Sequence, residues 1–209
     1  MMDRSYRIDV DFDLAKIKAQ FRRIFELALS FLKTRHNKIH TFIVYQYALV
    51  LLEEEPGAPE IVIPASILHD VGWSSVPEEK QIEAFGPDVG KAELQRKHEV
   101  EGAAIAQRLL NGLGYDPQLV SKIVAIVEGH DTTPGATSIE GAITKDADKL
   151  WRFSEHGFHI DGQRFNVEPL PWIRFLFGKI DEWFLTKTGR EIATYEAQKR
   201  EKKIREEQR

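Results

Sequence analysis

Apolar residues recur at intervals of three and four along most of this 209-residue chain. That spacing lines one face of an α-helix, whereas on a strand it would scatter the same residues over both faces. The first run is Leu14, Ile17, Phe21, Ile24, Phe25, Ala28 and Leu32, with Lys and Arg between them, and it predicts an amphipathic helix over 13–35. The same pattern predicts helices over 39–55, 59–71, 91–111, 117–130, 138–155 and 170–187. Local signals agree: Asp116 and Pro117 form an N-cap and first-turn pair, "TSIE" from Thr137 to Glu140 fits a capping box, and "NGLG" after Leu110 fits a helix stop. No stretch alternates for long, and only "EIVI" is open between strand and helix. The fold class expected is all-α. Loops are expected at "EPGAP", over 73–90, at "DTTPGA" and at "HGFHIDGQRFNVEPLP". One helical domain over 1–188 is expected, followed by a charged helix or tail over 189–209; the mixed charge of 191–209 reads as a solvated terminal helix.

Cysteine is absent, which excludes disulfides, thiolate metal sites, iron-sulfur clusters and a cysteine nucleophile. A metal would have to be held by His, Asp or Glu. The net charge of -4 and the pI near 6.0 give no global electrostatic drive toward nucleic acid or an anionic membrane. "MMDRSYRIDVDFDL" lacks the apolar centre of a signal peptide, and "IHTFIVYQYALVLL" is too short to span a bilayer. A cytoplasmic protein with neither a nucleic-acid nor a membrane partner is expected.

Four histidines fall on the apolar side of their segments. His40 aligns with Val44, Tyr47 and Leu51; His98 with Gly102, Ile105 and Leu109; His130 follows Ile123 and Val127. His69 sits beside Asp70 in "ILHDVGW", with the small residues Ala65 and Ser66 one turn back. Burying imidazoles without a shared partner costs roughly 1 to 3 kcal/mol each. One divalent cation satisfies imidazoles and carboxylates together. In "KDADKLW", Asp146 and Asp148 flank the buried stripe of Ile143, Ala147 and Leu150 on opposite sides, and periodicity does not choose between them. His36, His156 and His159 fit no such position.

His40, then His69 and Asp70, then an Asp in "DADKL" resemble the H...HD...D signature of the HD-domain superfamily of metal-dependent phosphohydrolases, over roughly residues 20–155. The resemblance implies a single-domain helical bundle with ligands projecting inward from several helices, and it takes Asp148 as the last ligand. "KHEVEGAAIAQRLL" and "IVEGHD" look like the superfamily's third and fourth helical motifs, which adds His98 and His130 as ligands of a two-metal version. "TKTGREIA" is similar to the tails of small bacterial members. Two departures stand out. Trp73 follows Gly72 where the cyclic-dinucleotide phosphodiesterase and inositol oxygenase branches carry lysine, and no Glu precedes Glu78 where alarmone hydrolases and bacterial deoxynucleotidases place one after the dyad.

The resemblance thus implies His40, His69, Asp70 and Asp148 around a primary ion, with His98 and His130 around a second that Asp70 bridges. One or two ions of Mn, Fe, Co, Ni, Zn or Mg fit such a set. The expected activity is hydrolysis of a phosphomonoester or phosphodiester, a nucleotide or related small molecule, by metal-activated hydroxide. Asp70 and Asp131 are the candidate catalytic residues, Asp131 either protonating a leaving group or orienting an imidazole. A di-iron oxygenase and a non-catalytic metal- or nucleotide-binding module are the competing readings. Lys97, Lys145, Lys149 and Arg152 are open between phosphate contacts and solvated positions, and Trp73 and Trp151 between base stacking and core. Trp172, Phe175, Leu176, Trp183 and Phe184 are open between core packing and a homodimer face.

Overall fold

The computed structural model describes residues 8–84 and 92–208, and within them every regular element is helical. The last part of the loop expected over 73–90, and residue 91, lie outside the described residues. The helices are α1 (Ala19–Ala28), α2 (Asn37–Leu51), α3 (Pro59–Leu68), α4 (Glu78–Gln81), α5 (Ala92–Gly112), α6 (Pro117–Glu128), α7 (Ile139–Leu150), α8 (Glu155–Arg164), α9 (Pro169–Gly178), α10 (Ile180–Trp183) and α11 (Lys187–Glu207). Short 3-10 turns add Leu14–Lys16, Val71–Ser75, Ile82–Ala84 and Trp151–Phe153. None of the helices is long and apolar enough to cross a membrane.

α3 is the central post, packed by α1, α2, α6 and α7. Every residue from Ile61 to Leu68 is buried, so "EIVI" is helical but carries no one-sided stripe: a helix enclosed on all sides is apolar all round. The helix expected over 13–35 is interrupted. Ile17 is extended (φ -79°, ψ 130°), and the Lys18 amide donates to Tyr45 Oη at 2.9 Å rather than continuing the ladder. Ile17 is buried all the same, so its place in the periodicity reflects burial rather than helix. Asp116 caps α6 through the amides of Gln118 and Leu119. The capping box is one residue out of register: Ser138, not Thr137, accepts from Gly141, and Glu140 instead faces the Ala58 amide at 3.4 Å. Gly114, at φ 72°, ends the "NGLG" stop.

The segment "HGFHIDGQR", whose composition predicts a loop, is helical and belongs to α8. Its glycines and polar residues obscure the stripe, but Ser154 caps it through the Gly157 amide, and Phe158 and Asp161 are buried. Gly157 is obligatory because a Cβ there would run into the Trp151 carbonyl. The helix expected over 170–187 breaks at Lys179 into α9 and α10.

The terminal charged segment forms α11, which is solvated on one side only. It buries Ile192, Ala193, Ala197 and Ile204, and it packs on α9 and α7. Asp146 ties it down: Oδ1 accepts from the Leu185 amide at 2.8 Å, and Oδ2 accepts from the Thr186 amide at 2.8 Å and the Thr186 hydroxyl at 2.7 Å. Asp146→Ala would leave those buried donors unpaired and should cost at least about 2 kcal/mol, read as a lower urea midpoint. An unchanged midpoint would show that α11 is held by apolar contacts alone.

Candidate metal centre

Five segments deliver the predicted donors to one place. The chain turns sharply into α2 through two consecutive left-handed residues, Arg35 (φ 50°) and His36 (φ 62°), so that His40 emerges in the first turns of the helix. His69 caps α3 in helical conformation, and Asp70 (φ -102°, ψ 4°) swings out of it to begin the 3-10 turn. That turn lies against α5 at a distance only glycine permits. A Cβ on Gly72 would overlap the His98 carbonyl and come within 2.5 Å of the Gly102 amide nitrogen. His98 belongs to α5, Asp148 to α7, and His130 and Asp131 follow the end of α6.

Asp70 stands between two imidazole pairs. Its Oδ2 is 3.4 Å from His40 Nε2 and 3.6 Å from His69 Nε2, and its Oδ1 is 3.9 Å from His98 Nε2 and 3.8 Å from His130 Nε2. Asp148 Oδ1 closes the first pair, 3.3 Å from His40 and 3.7 Å from His69. Within the pairs, Nε2 atoms are 3.0 Å apart for His40 and His69 and 3.3 Å apart for His98 and His130.

These donors fit a cation. The Ser66 and Val127 carbonyls lie 2.8 Å from Nδ1 of His69 and His130, so in the neutral form of each ring Nδ1 carries the hydrogen and Nε2 would offer its lone pair to an ion. Such lone pairs, facing other imidazoles and two carboxylates, need positive charge between them. Adjacent ligands of one ion held at about 2.1 Å stand about 3.0–3.4 Å apart, close to the observed spacings. Three sets bring a donor atom apiece within 4.8 Å of one another: His40, His69 and Asp148; His69, Asp70 and His130; and His98, His130 and Asp131.

The surrounding electrostatics sort the protons. Burial opposes charge on Asp70, but His69, His130 and His40 outweigh it and hold the carboxyl well below its usual range. Burial lowers His69. Burial and the neighbouring His130 push His98 down to about 4; burial also opposes charge on His130, but Asp70 and Asp131 lift it to about 9. A single positive charge therefore suits that pair. Lys149 bridges Asp148 at 3.1 Å and Asp131 at 3.2 Å. Its ammonium overrides the burial of Asp131 and brings that carboxyl down to about 2.

Supporting residues surround the donors, and of these Arg35 and Glu99 carried no sequence signal. Trp73, fully buried, stacks on His98 with centroids 4.0 Å apart and donates Nε1 to Asp70 Oδ1 at 3.0 Å. It therefore orients two donors and offers no face to a base. Trp151 is likewise committed, donating to Asp161 at 3.1 Å and meeting His40 edge-on. The Arg35 guanidinium lies 4.5 Å from the Trp73 ring centroid. Glu99, buried beside His98, accepts from the amides of Asp131 and Thr132 at 2.8 and 2.9 Å and locks the turn that carries His130. Lys97 is exposed, whereas Lys145, Lys149 and Arg152 line the adjoining cavity. Asp146 belongs to the α11 anchor and not to the centre.

The family model described as HD domain matches residues 38–152, which contain all six donors and Asp131. No curated protein and no solved structure matches the chain. A first-row divalent cation at about 100 times its dissociation constant should stabilise the fold by about 2.7 kcal/mol, or about 5–10 °C in Tm for a chain of this size. Asp70→Ala should abolish the shift, and acidification should erode it, because protons compete with the ion for the same imidazole lone pairs. Differential scanning fluorimetry with Mn²⁺ and Zn²⁺ measures both.

Proposed function

Since the chain belongs to the HD-domain family, we propose that it is a metal-dependent phosphohydrolase cleaving a phosphomonoester or phosphodiester of a small molecule. His40, His69, Asp70 and Asp148 would hold one divalent cation, and His98, His130 and the other oxygen of Asp70 a second. When bound, such cations lower the pKa of water enough to supply hydroxide near neutral pH and neutralise charge on phosphate oxygens.

The observation that carries this reading is the cationic rim. Arg35, Arg152 and Arg164 line the same cleft as His40, Asp70 and Asp148, and Lys149 borders it through its contacts to Asp148 and Asp131. A His and carboxylate donor set alone suits oxygen chemistry equally well. A ring of guanidinium groups favours a substrate with several anionic oxygens. Burial lowers Arg35 to about 10, which leaves it charged at neutral pH. Asp161 aims the other two: it accepts from Arg164 at 2.9 Å and lies 3.9 Å from Arg152. Arg164 also donates to the Arg35 carbonyl at 3.2 Å, joining the rim to the left-handed turn before α2.

Asp131 takes a positioning role here. A carboxyl held ionised by Lys149 is a poor proton donor, so it steadies the ammonium that faces Asp148. The cluster also reaches solvent, with His40, Asp70 and Asp148 each 7–9 % exposed. An open edge suits a catalytic ion, whereas a purely structural metal is enclosed by protein ligands.

The test is a phosphoester panel, covering monoesters, diesters and nucleotides, assayed after loading with Mn²⁺, Fe²⁺ or Zn²⁺. Turnover of at least one class is expected. Asp70→Asn should reduce it to background, and Arg164→Ala should lower it about 100-fold with the metal content retained. A fully loaded protein that consumes O₂ while leaving every phosphoester intact would sink the proposal.

A further inference from the structure

Beside the metal centre lies a larger cavity of about 460 Å³. It adjoins the metal cleft, sharing His130, Asp131 and Arg152 with it. Lys145 and Lys149 complete its charged side. Its far side is aromatic: Phe165 follows α8, Trp172 and Phe175 come from α9, and Trp183 ends α10. All four lie beyond residue 152, outside the segment that matches the family.

The aromatic wall is built. Trp172 and Phe175 stack with centroids 5.4 Å apart and planes 11° apart, Phe175 meets Trp183 edge-on at 6.1 Å, and Phe165 meets Trp172 at 5.9 Å. Trp172 is buried in the core, but Phe165, Phe175 and Trp183 are only half covered by the fold and keep a side toward the cavity. Had these rings served core packing alone, neighbouring side chains would close the space to the density of a protein interior. A homodimer face would present them on an open surface, not in a concavity. Polar groups edge the space: Thr132 and Thr133 on the metal side, Gln95 and Glu182 elsewhere. The Gln95 amide N–H is taken by the Ala84 carbonyl at 3.2 Å. The cavity therefore runs from cationic near the metal donors to aromatic away from them, within the volume range of small-molecule sites.

Resting on the phosphohydrolase reading, we propose that this cavity is the substrate's ring subsite. The phosphoester cleaved here carries a planar heteroaromatic group, seated against Phe175 and Trp183, while its phosphate lies toward Arg152, Lys149 and the metal donors. The wall comes from residues beyond the family match, so the match itself does not account for the selectivity it confers. A flat ring laid against this wall makes favourable quadrupole contacts, which an aliphatic alcohol of equal size cannot make.

Binding decides this without turnover. The methylenephosphonate analogues of AMP and of ribose 5-phosphate cannot be hydrolysed, and their affinities for the full-length, metal-loaded protein can be compared by isothermal titration calorimetry. Saturation-transfer NMR on the same samples reports whether the adenine protons touch the protein. The ring-bearing analogue should bind at least about 10-fold tighter, the worth of one base stacked on an aromatic side chain, and its adenine protons should be saturated. Trp183→Ala should bring the ratio of the two affinities toward one, and Trp183→Phe should restore most of it. Equal affinities in the parent protein, undetectable binding of both, or a ratio that survives Trp183→Ala would overturn the subsite. Discrimination by a metal-loaded protein that hydrolyses no phosphoester would instead uphold the subsite and sink the phosphohydrolase reading.

Discussion

A buried carboxylate, Asp70, faces four imidazoles from four segments, and much of the architecture can be read as what is needed to hold that meeting together. Imidazole lone pairs and carboxylates crowded at 3.0–3.9 Å repel one another unless positive charge lies among them. The helices must therefore be rigid enough to keep the donors converged. α3 supplies that rigidity, being apolar on every side and packed by four other helices, so that His69 and Asp70 project from a fixed post. The Gly72 contact with α5 does the same for His98, because two backbones meet where no side chain fits.

Around the donors runs a second layer that selects orientation. Backbone carbonyls of Ser66 and Val127 set the ring tautomers of His69 and His130. His98 has no partner for Nδ1 among the described residues, and its ring is held by stacking on Trp73 instead. The indole spans two donors at once, stacking on His98 and hydrogen-bonding Asp70, and one face of it lies beneath Arg35. Trp73 thus steadies the centre as a buried aromatic, and positive charge reaches the cleft from Arg35, Arg152 and Arg164.

The chain beyond the family match adds to the centre in two ways. α8 contributes Asp161 and Arg164, which fix the guanidinium rim. α9 and α10 contribute the aromatic wall of the neighbouring cavity. Asp146, only two residues from Asp148, ties the chain after α10 back to α7 by three hydrogen bonds at the start of α11. One helix, α7, thus points one aspartate at the donors and the other at the C-terminal helices.

Helical periodicity alone determined the all-α class and placed His40, His69, His98 and His130 inward, since burial of one face is a local property of spacing. Caps at Asp116 and the stop at Gly114 were legible for the same reason: they involve residues within one turn. The choice between Asp146 and Asp148 was not legible from periodicity, because both flank the same stripe; the family resemblance pointed to Asp148, and the structure turns Asp146 to the start of α11. Nor were α8, the break at Ile17, Glu99, Asp161 or the guanidinium rim. Each owes its role to partners far away in the chain, as when Arg164 reaches Arg35 and Glu99 reaches Thr132, and spacing along one helix holds no information about which other helix will face it. The sequence by itself determined which side chains turn inward; the tertiary structure alone decided which of them meet, because convergence depends on helix crossings and backbone contacts such as Gly72 on α5.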